Sequence, residues 1–137
     1  MVIDTSSVIC ILLSEPEAES HARLLASDPE NVMSAANWFE TMMVVQSKLG
    51  KTGVQELEGL LKSINIKIIA VDSKMAQVAF SAWLKYGKGR HPAGLNFGDC
   101  FAYALAKLRG EPLLFKGEDF SKTDLTSASE CNKPSGL

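Results

Sequence analysis

Four carboxylates in this 137-residue chain occupy positions that suit metal-dependent chemistry on phosphate esters: Asp4, Glu40, Asp99 and Asp119. Each is surrounded by apolar or small residues. An ionised carboxylate beside a core is costly unless its charge is compensated, and a bound divalent cation provides that compensation. Such a cation also activates water and polarises a phosphate, which is the chemistry of nucleic-acid hydrolysis. We interpret Asp4 and Asp99 as ligands of a principal ion, with Glu40 and Asp119 binding or orienting water or a second ion.

Each acid also has a purely structural interpretation. Asp4 follows a short apolar run and suits the N-cap of a helix. Glu40 and Asp99 each lie three residues after an asparagine, which is the spacing of a capping box. Asp119 can cap a turn or stay solvated. Each signal is weak alone, but capping does not predict that all four acids meet in one place.

Strand and helix patterns alternate along the chain and predict where the acids lie. Strands are expected at residues 2–3, 31–34, 66–71 and 113–115, with a short edge strand at 124–126. Helices are expected at about residues 5–12, 15–26, 35–49, 52–63, 73–86 and 96–108. This alternation favours an α/β fold with a mostly parallel sheet covered on both faces. Because ligands bind beyond the carboxyl ends of such strands, the four acids are expected at one sheet edge.

The helix at residues 35–49 carries more apolar side chains than one core-facing stripe needs. Its main stripe is predicted to be Trp38, Met42, Val45 and Leu49, flanked by Phe39 and Met43, with Glu40 on the opposite side. Gly50 is expected to end it. The surplus apolar area, together with Val44, predicts an interface for a second copy or an inhibitor helix, or a helix sandwiched in the core.

The composition is typical of a single globular domain. Hydrophobic residues make up 46% of the chain and charged residues 22%, which excludes a disordered protein. We expect residues 1–128 to form one domain and residues 129–137 a disordered tail. No apolar run reaches membrane-spanning length and the start lacks a signal-peptide pattern, so the predicted location is cytoplasmic, without membrane contact. Cys10 and Cys100 are expected to be buried thiols.

The net charge of −2 argues at first against a nucleic-acid partner, but its distribution favours one. Residues 85–122 contain seven basic residues against four acidic ones. The basic residues are Lys85, Lys88, Arg90, Lys107, Arg109, Lys116 and Lys122. Lys88, Arg90 and Lys116 are candidate contacts to backbone phosphates, although each also suits a solvated helix face.

Hydroxyl and imidazole groups have smaller predicted roles. Thr5 and Ser6 follow Asp4 directly and can hydrogen-bond a ligating carboxylate or the substrate, or simply cap the helix. A metal-dependent mechanism needs no histidine as general base. His21 and His91 are therefore expected at the surface or in loops, with His91 able to touch phosphate.

Several of these segments together resemble a PIN-domain ribonuclease, and most closely the VapC-type toxins of bacterial toxin–antitoxin pairs. The segments are Met1–Ser6, the helix with Glu40, Gly87–His91 followed by Leu95–Cys100, and Pro112–Phe120. The resemblance covers about residues 1–127, in the family's order and spacing. It implies that Asp4, Glu40 and Asp99 match the family's invariant acids. Many relatives place an acid where this chain has Gly117, and the nearest carboxylate here is Asp119.

The resemblance also implies a fold, an activity and partners. The fold would be a three-layer α/β/α PIN-like domain with four to five strands. The activity would be Mg²⁺-dependent cleavage of RNA, either tRNA or rRNA, with Mn²⁺ able to substitute. The partners would be a second copy in a homodimer and a VapB-type antitoxin.

Other function classes fit less of the chain. A haloacid-dehalogenase-like phosphatase also places an aspartate after its first strand, but it needs a second one where this chain has Ser6. A phosphoreceiver module would use an aspartate such as Asp72, with little else in agreement. A degenerate PIN-fold protein that binds without catalysis is a third alternative.

Overall fold

Four parallel strands form the centre of the molecule. The structure is a computed structural model that describes residues 1–131. Its sheet has the strand order β3-β2-β1-β4, with β1 at Val2–Ile3, β2 at Val32–Ser34, β3 at Lys67–Ile69 and β4 at Leu113–Leu114. Val2 pairs with Val32 on one side and with Leu113 on the other, so β1 is a central strand. The central strands are buried apolar runs, as expected for a parallel sheet covered on both faces.

Helices pack on both faces of this sheet. They are α1 at Thr5–Leu12, α2 at Ala18–Ser27, α3 at Ala35–Ser63, α4 at Ser73–Tyr86, α5 at Phe97–Arg109 and α6 at Ala128–Cys131, with a 3₁₀ turn at Phe120–Lys122. Because successive strand residues point to opposite faces, Val2 packs in the core beneath α4 and α5, whereas Ile3 packs in the core beneath α1, α2 and α3. The predicted three-layer α/β/α fold with a parallel sheet is confirmed.

At both edges of the sheet the observed strands are shorter than the sequence predicted. The β-branched run at residues 66–71 yields only Lys67–Ile69, an edge strand in which Ile68 is 40% exposed. At the other edge, the short strand predicted near residue 125 is reduced to a single parallel bridge between Leu113 and Ser127. Both edges are therefore short, which limits pairing with other chains.

The apolar stripe predicted for the start of α3 is confirmed at Met42 and Val45, which pack against the core, and is wrong at its two ends. Val45 is buried, but Trp38 and Leu49 are both 38% exposed, and the buried positions nearer the helix start are Asn37 and Thr41. The reason is that this end of α3 faces polar groups of α1 and α5 rather than apolar core. Apolar side chains therefore remain on the outer face of α3.

Gly50 separates the two halves of α3, as predicted. Its φ of 65° and ψ of −160° lie outside the helical region and interrupt a helix of 29 residues. No helix in residues 1–131 is both long enough and apolar enough to cross a membrane.

Several local predictions have mixed outcomes. Cys10 and Cys100 are buried, as predicted. His21 was expected near the surface, but it is buried within the α1–α2 layer, where its Nδ1 lies 2.7 Å from the hydroxyl of Ser7. Of the tail predicted to be disordered, residues 129–131 belong to α6, which contradicts the prediction there, and residues 132–137 lie outside the described part of the chain.

Candidate active site

The four predicted acids follow the carboxyl ends of the parallel strands. Asp4 comes directly after β1, and Glu40 lies in the second turn of α3, which follows β2. Asp99 lies in the first turn of α5, and Asp119 lies in the loop after β4. Topology thus brings four carboxylates, far apart in sequence, to one edge of the sheet.

Asp4 is the most deeply buried of the four, with only 3% of its surface exposed. Its side chain caps α1, because Oδ2 accepts hydrogen bonds from the Ser6 backbone N at 3.0 Å and the Ser6 Oγ at 2.5 Å. The pKa of Asp4 is raised to about 6, chiefly by burial and in smaller part by the charge of Glu40, while the hydrogen bonds from Ser6 lower it. The observed cap is therefore compatible with the predicted metal role of Asp4, which stays a prediction.

Ser6 connects the first strand to the loop after β4. Its hydroxyl donates to Asp4 and accepts a hydrogen bond of 3.0 Å from the backbone N of Lys116. One hydroxyl therefore holds both the Asp4 carboxylate and the start of the segment that carries Asp119. The sequence could indicate only that Ser6 was close to Asp4.

Glu40 is oriented by a polar cluster under the start of α3. Its Oε1 accepts a hydrogen bond of 2.6 Å from the Thr5 hydroxyl, and Thr41 Oγ1 lies 3.0 Å from the same hydroxyl. Asn37 Nδ2 donates to the backbone O of Gly98 at 2.9 Å, which fixes α3 against α5. Asn37 was predicted only as a possible capping residue. The burial of Asn37 is what indicates its role, and that burial cannot be read from the sequence.

Gly98 provides the space that the Glu40 carboxylate occupies. A Cβ added at Gly98 would lie only 2.1 Å from Glu40 Oε2 and 2.6 Å from its Cδ. A side chain at position 98 and the observed position of Glu40 are therefore incompatible. This requirement was not recognised from the sequence, where the glycine before Asp99 was only part of a motif.

Asp99 is half-buried and is held by the cap of α5. Its Oδ2 accepts from the backbone N of Asn96 at 3.0 Å, while its own backbone N donates to Asn96 Oδ1 at 2.9 Å. This reciprocal pair is the predicted capping box. The pKa of Asp99 is raised to about 7, chiefly by burial; the backbone hydrogen bond from Asn96 lowers it, and the charges of Asp4, Asp119 and Glu40 contribute to the rise. The shift shows that Asp99 lies in the field of the other three acids.

Asp119 is the exposed member of the group. It precedes the 3₁₀ turn and makes no capping hydrogen bond with its side chain. Two residues earlier, Gly117 has a φ of 99°, a conformation that residues with side chains rarely adopt. The backbone at position 117 therefore suits glycine rather than an acid. In this loop, the carboxylate whose charge acts on Asp99 is that of Asp119.

The donor set fits a hard divalent cation. All four side chains offer carboxylate oxygens, the ligand type that Mg²⁺ and Mn²⁺ prefer, and their mutual repulsion is relieved by a positive charge. A tighter group is formed by other residues. Within residues 1–131, the ligand atoms of Cys10, Glu15 and Glu17 all lie within 4.8 Å of one another. Mg²⁺ keeps several waters and contacts one or two carboxylates directly, so a wider set of acids still fits it.

The Cys10 group is already partly neutralised by a lysine. The ammonium of Lys116 pairs with Glu15 Oε2 and lies 3.7 Å from Glu17 Oε2. Lys116, predicted to contact phosphate, therefore has its charge engaged with two glutamates. Its phosphate contact stays a prediction, which requires that ion pair to open.

The other predicted substrate residues occupy different surroundings. Lys88 is exposed, and Arg90 lies 5.0 Å above the ring of Trp83 while its Nε donates to the Leu84 backbone O. The hydroxyls of Thr5 and Ser6 are engaged with Glu40 and Asp4, so in this arrangement they orient carboxylates.

Comparisons with known proteins agree with the observed fold. The family model for the PIN domain matches residues 1–125. A protein named Ribonuclease VapC from Mycolicibacterium smegmatis is 50% identical over 127 residues, covering 93% of this chain and 98% of that protein. Ribonuclease VapC30 from Mycobacterium tuberculosis is 45% identical over 129 residues, covering 94% of this chain and 98% of that protein.

Solved structures share the fold at low sequence identity. Mycobacterium tuberculosis VapC20, described as a sarcin–ricin loop cleaving toxin, aligns with a TM-score of 0.74 and 19% identity over 91% of this chain and 95% of that one. VapBC2 from Rickettsia felis, bound to a promoter DNA fragment, aligns with a TM-score of 0.72 and 14% identity over 92% and 94% of the two chains. The match of the family model and the identity to the curated relatives identify this chain as a member of the PIN-domain family of VapC ribonucleases.

Proposed function

We propose that this protein is a Mg²⁺-dependent endoribonuclease that hydrolyses RNA phosphodiester bonds and acts as the toxin of a toxin–antitoxin pair. The observation that carries the proposal is the placement of four carboxylates after the carboxyl ends of the strands, at one edge of the sheet. The raised pKa of Asp99, caused chiefly by burial and in smaller part by the charges of Asp4, Asp119 and Glu40, supports it. Membership of the VapC ribonucleases supports the choice of RNA as substrate. Mn²⁺ is expected to substitute, because it accepts the same oxygen ligands.

The residues of the chain hold the carboxylates in fixed positions. A divalent cation bound there supplies an activated water and polarises the scissile phosphate. Asp4 is fixed by Ser6, Glu40 by Thr5, and Asp99 by the Asn96 cap. The carboxylates are therefore oriented before the substrate arrives, so little reorganisation is needed during the reaction.

The proposed partners follow from the family and from the surface. Solved relatives include a toxin–antitoxin complex from Klebsiella pneumoniae, with a TM-score of 0.68 and 22% identity over 90% of this chain and 92% of that one, which supports a VapB-type antitoxin. The exposed apolar side chains at the start of α3 support a homodimer. We propose tRNA or rRNA in the cytoplasm as the substrate.

Substitution of single carboxylates tests the proposal. Asp4→Asn and Asp99→Asn remove charge with little change in shape, and each should lower RNA cleavage with Mg²⁺ by at least about 100-fold, because even outer partners of a metal site cost 10- to 100-fold. Glu118→Gln is the matched control, since Glu118 is exposed and adjoins Asp119. Full cleavage by either aspartate variant would reject the role assigned to that residue, whereas no cleavage by the wild type would favour a PIN-fold protein that only binds.

A further inference from the structure

The backbone of Lys116 lies beside Asp4, separated from it by the hydroxyl of Ser6. The backbone N of Lys116 donates to Ser6 Oγ at 3.0 Å, and the same hydroxyl donates to Asp4. A lysine side chain is a compact positive charge on a flexible four-carbon stem. Converging carboxylates attract such a charge, because it relieves their mutual repulsion. A lysine anchored at this position can therefore turn its ammonium toward the acids and compete there with a divalent cation.

The ammonium of Lys116 lies instead against the turn between α1 and α2. It pairs with Glu15 Oε2 and lies 3.7 Å from Glu17 Oε2. These two glutamates are on either side of Pro16, directly before α2 begins at Ala18. The side chain of Lys116 therefore extends away from the four acids and toward the end of α1.

Neighbouring groups respond to the lysine charge in the same pattern. Burial raises the pKa of the Cys10 thiol, and the charge of Lys116 opposes that rise. Burial is also the largest cause of the raised pKa of Asp4 and of Asp99, and the charges that add to it come from other acids. The positive charge of Lys116 is thus directed to the α1 side of the loop.

The turn between α1 and α2 fixes Glu15 in the position that receives Lys116. The backbone N of Glu15 donates to Cys10 O at 3.0 Å, and the backbone O of Glu15 accepts from Ala18 N at 2.9 Å. Glu15 Oε2 is buried, and its cationic partner is the Lys116 ammonium. Separating a partly buried pair is costly, because it leaves an unpaired charge out of water. Glu15 is therefore well placed to retain the lysine.

We propose that Glu15 and Glu17 are positioning residues of the cation site, which hold Lys116 away from the four acids and so keep those acids available to a divalent cation. The inference rests on the proposed function, in particular on the binding of Mg²⁺ or Mn²⁺ by the acids. Without the two glutamate charges, the ammonium is released and the acids beside its backbone attract it. An ammonium among the acids both repels a cation and engages carboxylate oxygens. The glutamates thus act through Lys116.

Calorimetric titration with Mn²⁺ in the absence of RNA tests this inference, because no contact between Lys116 and phosphate can then contribute. The double variant Glu15→Gln/Glu17→Gln keeps the shapes of both side chains and should bind Mn²⁺ about tenfold more weakly than the wild type, as for other partners outside the ligand shell. Adding Lys116→Met to the double variant should restore most of the lost affinity, because the released ammonium is then absent.

Lys122→Met in the same double variant is the matched control. Lys122 is exposed and lies in the 3₁₀ turn after Asp119, so the change removes an equal charge from the same loop region. This control should leave the Mn²⁺ affinity low. Thermal unfolding is followed for every variant. The two triple variants are compared with each other, so a loss of stability common to both does not affect the result.

Three results would overturn the inference. An unchanged Mn²⁺ affinity in the double variant would show that the glutamates have no effect on the cation site. Equal recovery with Lys116→Met and Lys122→Met would show that only the general field of the protein matters. No recovery with Lys116→Met would show that the glutamates act without the lysine, for example by binding the ion themselves together with Cys10.

RNA cleavage by the wild type, measured in parallel, separates this inference from the proposed function. Mn²⁺ uptake with the expected pattern among the variants, but without cleavage, would support the role of the glutamates and reject the proposed nuclease. Cleavage by the wild type with equal Mn²⁺ affinities in all variants would reject the role of the glutamates alone.

Discussion

The Glu40 carboxylate occupies the space in which a side chain at position 98 would lie. Gly98→Ala would place a Cβ 2.1 Å from Glu40 Oε2. Because the clash is with the mobile end of a side chain, the carboxylate moves and the fold is largely kept. We predict that RNA cleavage falls on the order of 100-fold, as for other displacements of about 1 Å at a catalytic group. The melting temperature should change little.

Two measurements on Gly98→Ala distinguish this account from simple misfolding. Steady-state cleavage rates report the Glu40 position, and thermal unfolding reports the packing of α3 against α5. Unchanged cleavage would mean that the position of Glu40 has no catalytic role, and a large loss of stability would mean that Gly98 is needed only for helix packing.

A second residue-scale prediction concerns His21, which is buried and not at the surface. Burial lowers its pKa below the ordinary value of 6.5, so the folded state holds the neutral imidazole more strongly than the unfolded chain does. The stability that this contributes is complete above pH 6.5 and is lost as the pH falls through the folded-state pKa. The free energy of unfolding should therefore drop more between pH 7.5 and 5.5 for the wild type than for His21→Gln, by chemical denaturation. Equal drops would show that His21 is not coupled to folding.

At the scale of elements, the break in α3 depends on one glycine. Gly50 has a φ of 65°, so Gly50→Ala should destabilise the fold by about 1–3 kcal/mol through backbone strain. Gly59 lies in the second half of the same element, with no atom within 4 Å of an added Cβ. Gly59→Ala should instead stabilise by about 0.5–1 kcal/mol, because alanine is the better helix former.

Urea unfolding of the two α3 variants gives a direct comparison. Opposite signs are expected for two chemically identical substitutions in one element. A stabilising Gly50→Ala would mean that α3 runs straight through residue 50, and the interruption would then be of no structural importance.

The sequence predicted those features that depend on local patterns. Short stretches of the chain contain the signals for the end of β1 after Ile3, for the Asn96–Asp99 cap and for the interruption at Gly50. Their positions followed from periodicity, capping residues and the topology of parallel sheets.

Features that depend on distant partners were not predictable in the same way. The start of α3 buries Asn37 and Thr41 because Thr5 and Gly98 lie opposite, and those residues are 30 to 60 positions away in the chain. The ion pair of Lys116 with Glu15 spans 101 positions. A single helical wheel cannot show such contacts, so Trp38 was predicted to face the core although it is exposed.

At the scale of the whole molecule, α3 leaves an apolar face uncovered. Trp38, Phe39 and Met43 are each more than one-third exposed, whereas monomers rarely expose such side chains side by side. We expect this face to bind a second copy of the chain. Phe39→Glu should convert the dimer into a monomer in sedimentation velocity at micromolar concentrations, because it places a charge in an apolar interface.

Gln55→Glu is the control for the prediction on the α3 face. Gln55 is exposed in the second half of α3, beyond the interruption at Gly50, and the change introduces the same charge away from Phe39. This variant should sediment like the wild type. Monomers in both variants would indicate a general effect of charge, and dimers in both would place the interface elsewhere.

Calorimetric titration with Mn²⁺ tests the central claim most directly, since the whole account depends on a cation site formed by the four acids. The wild type should take up Mn²⁺, Asp4→Asn and Asp99→Asn should each lose at least about tenfold in affinity, and Glu118→Gln should match the wild type. No uptake by the wild type would contradict the account. Equal uptake by the aspartate variants would also contradict it, and would place the ion elsewhere, for example at Cys10, Glu15 and Glu17.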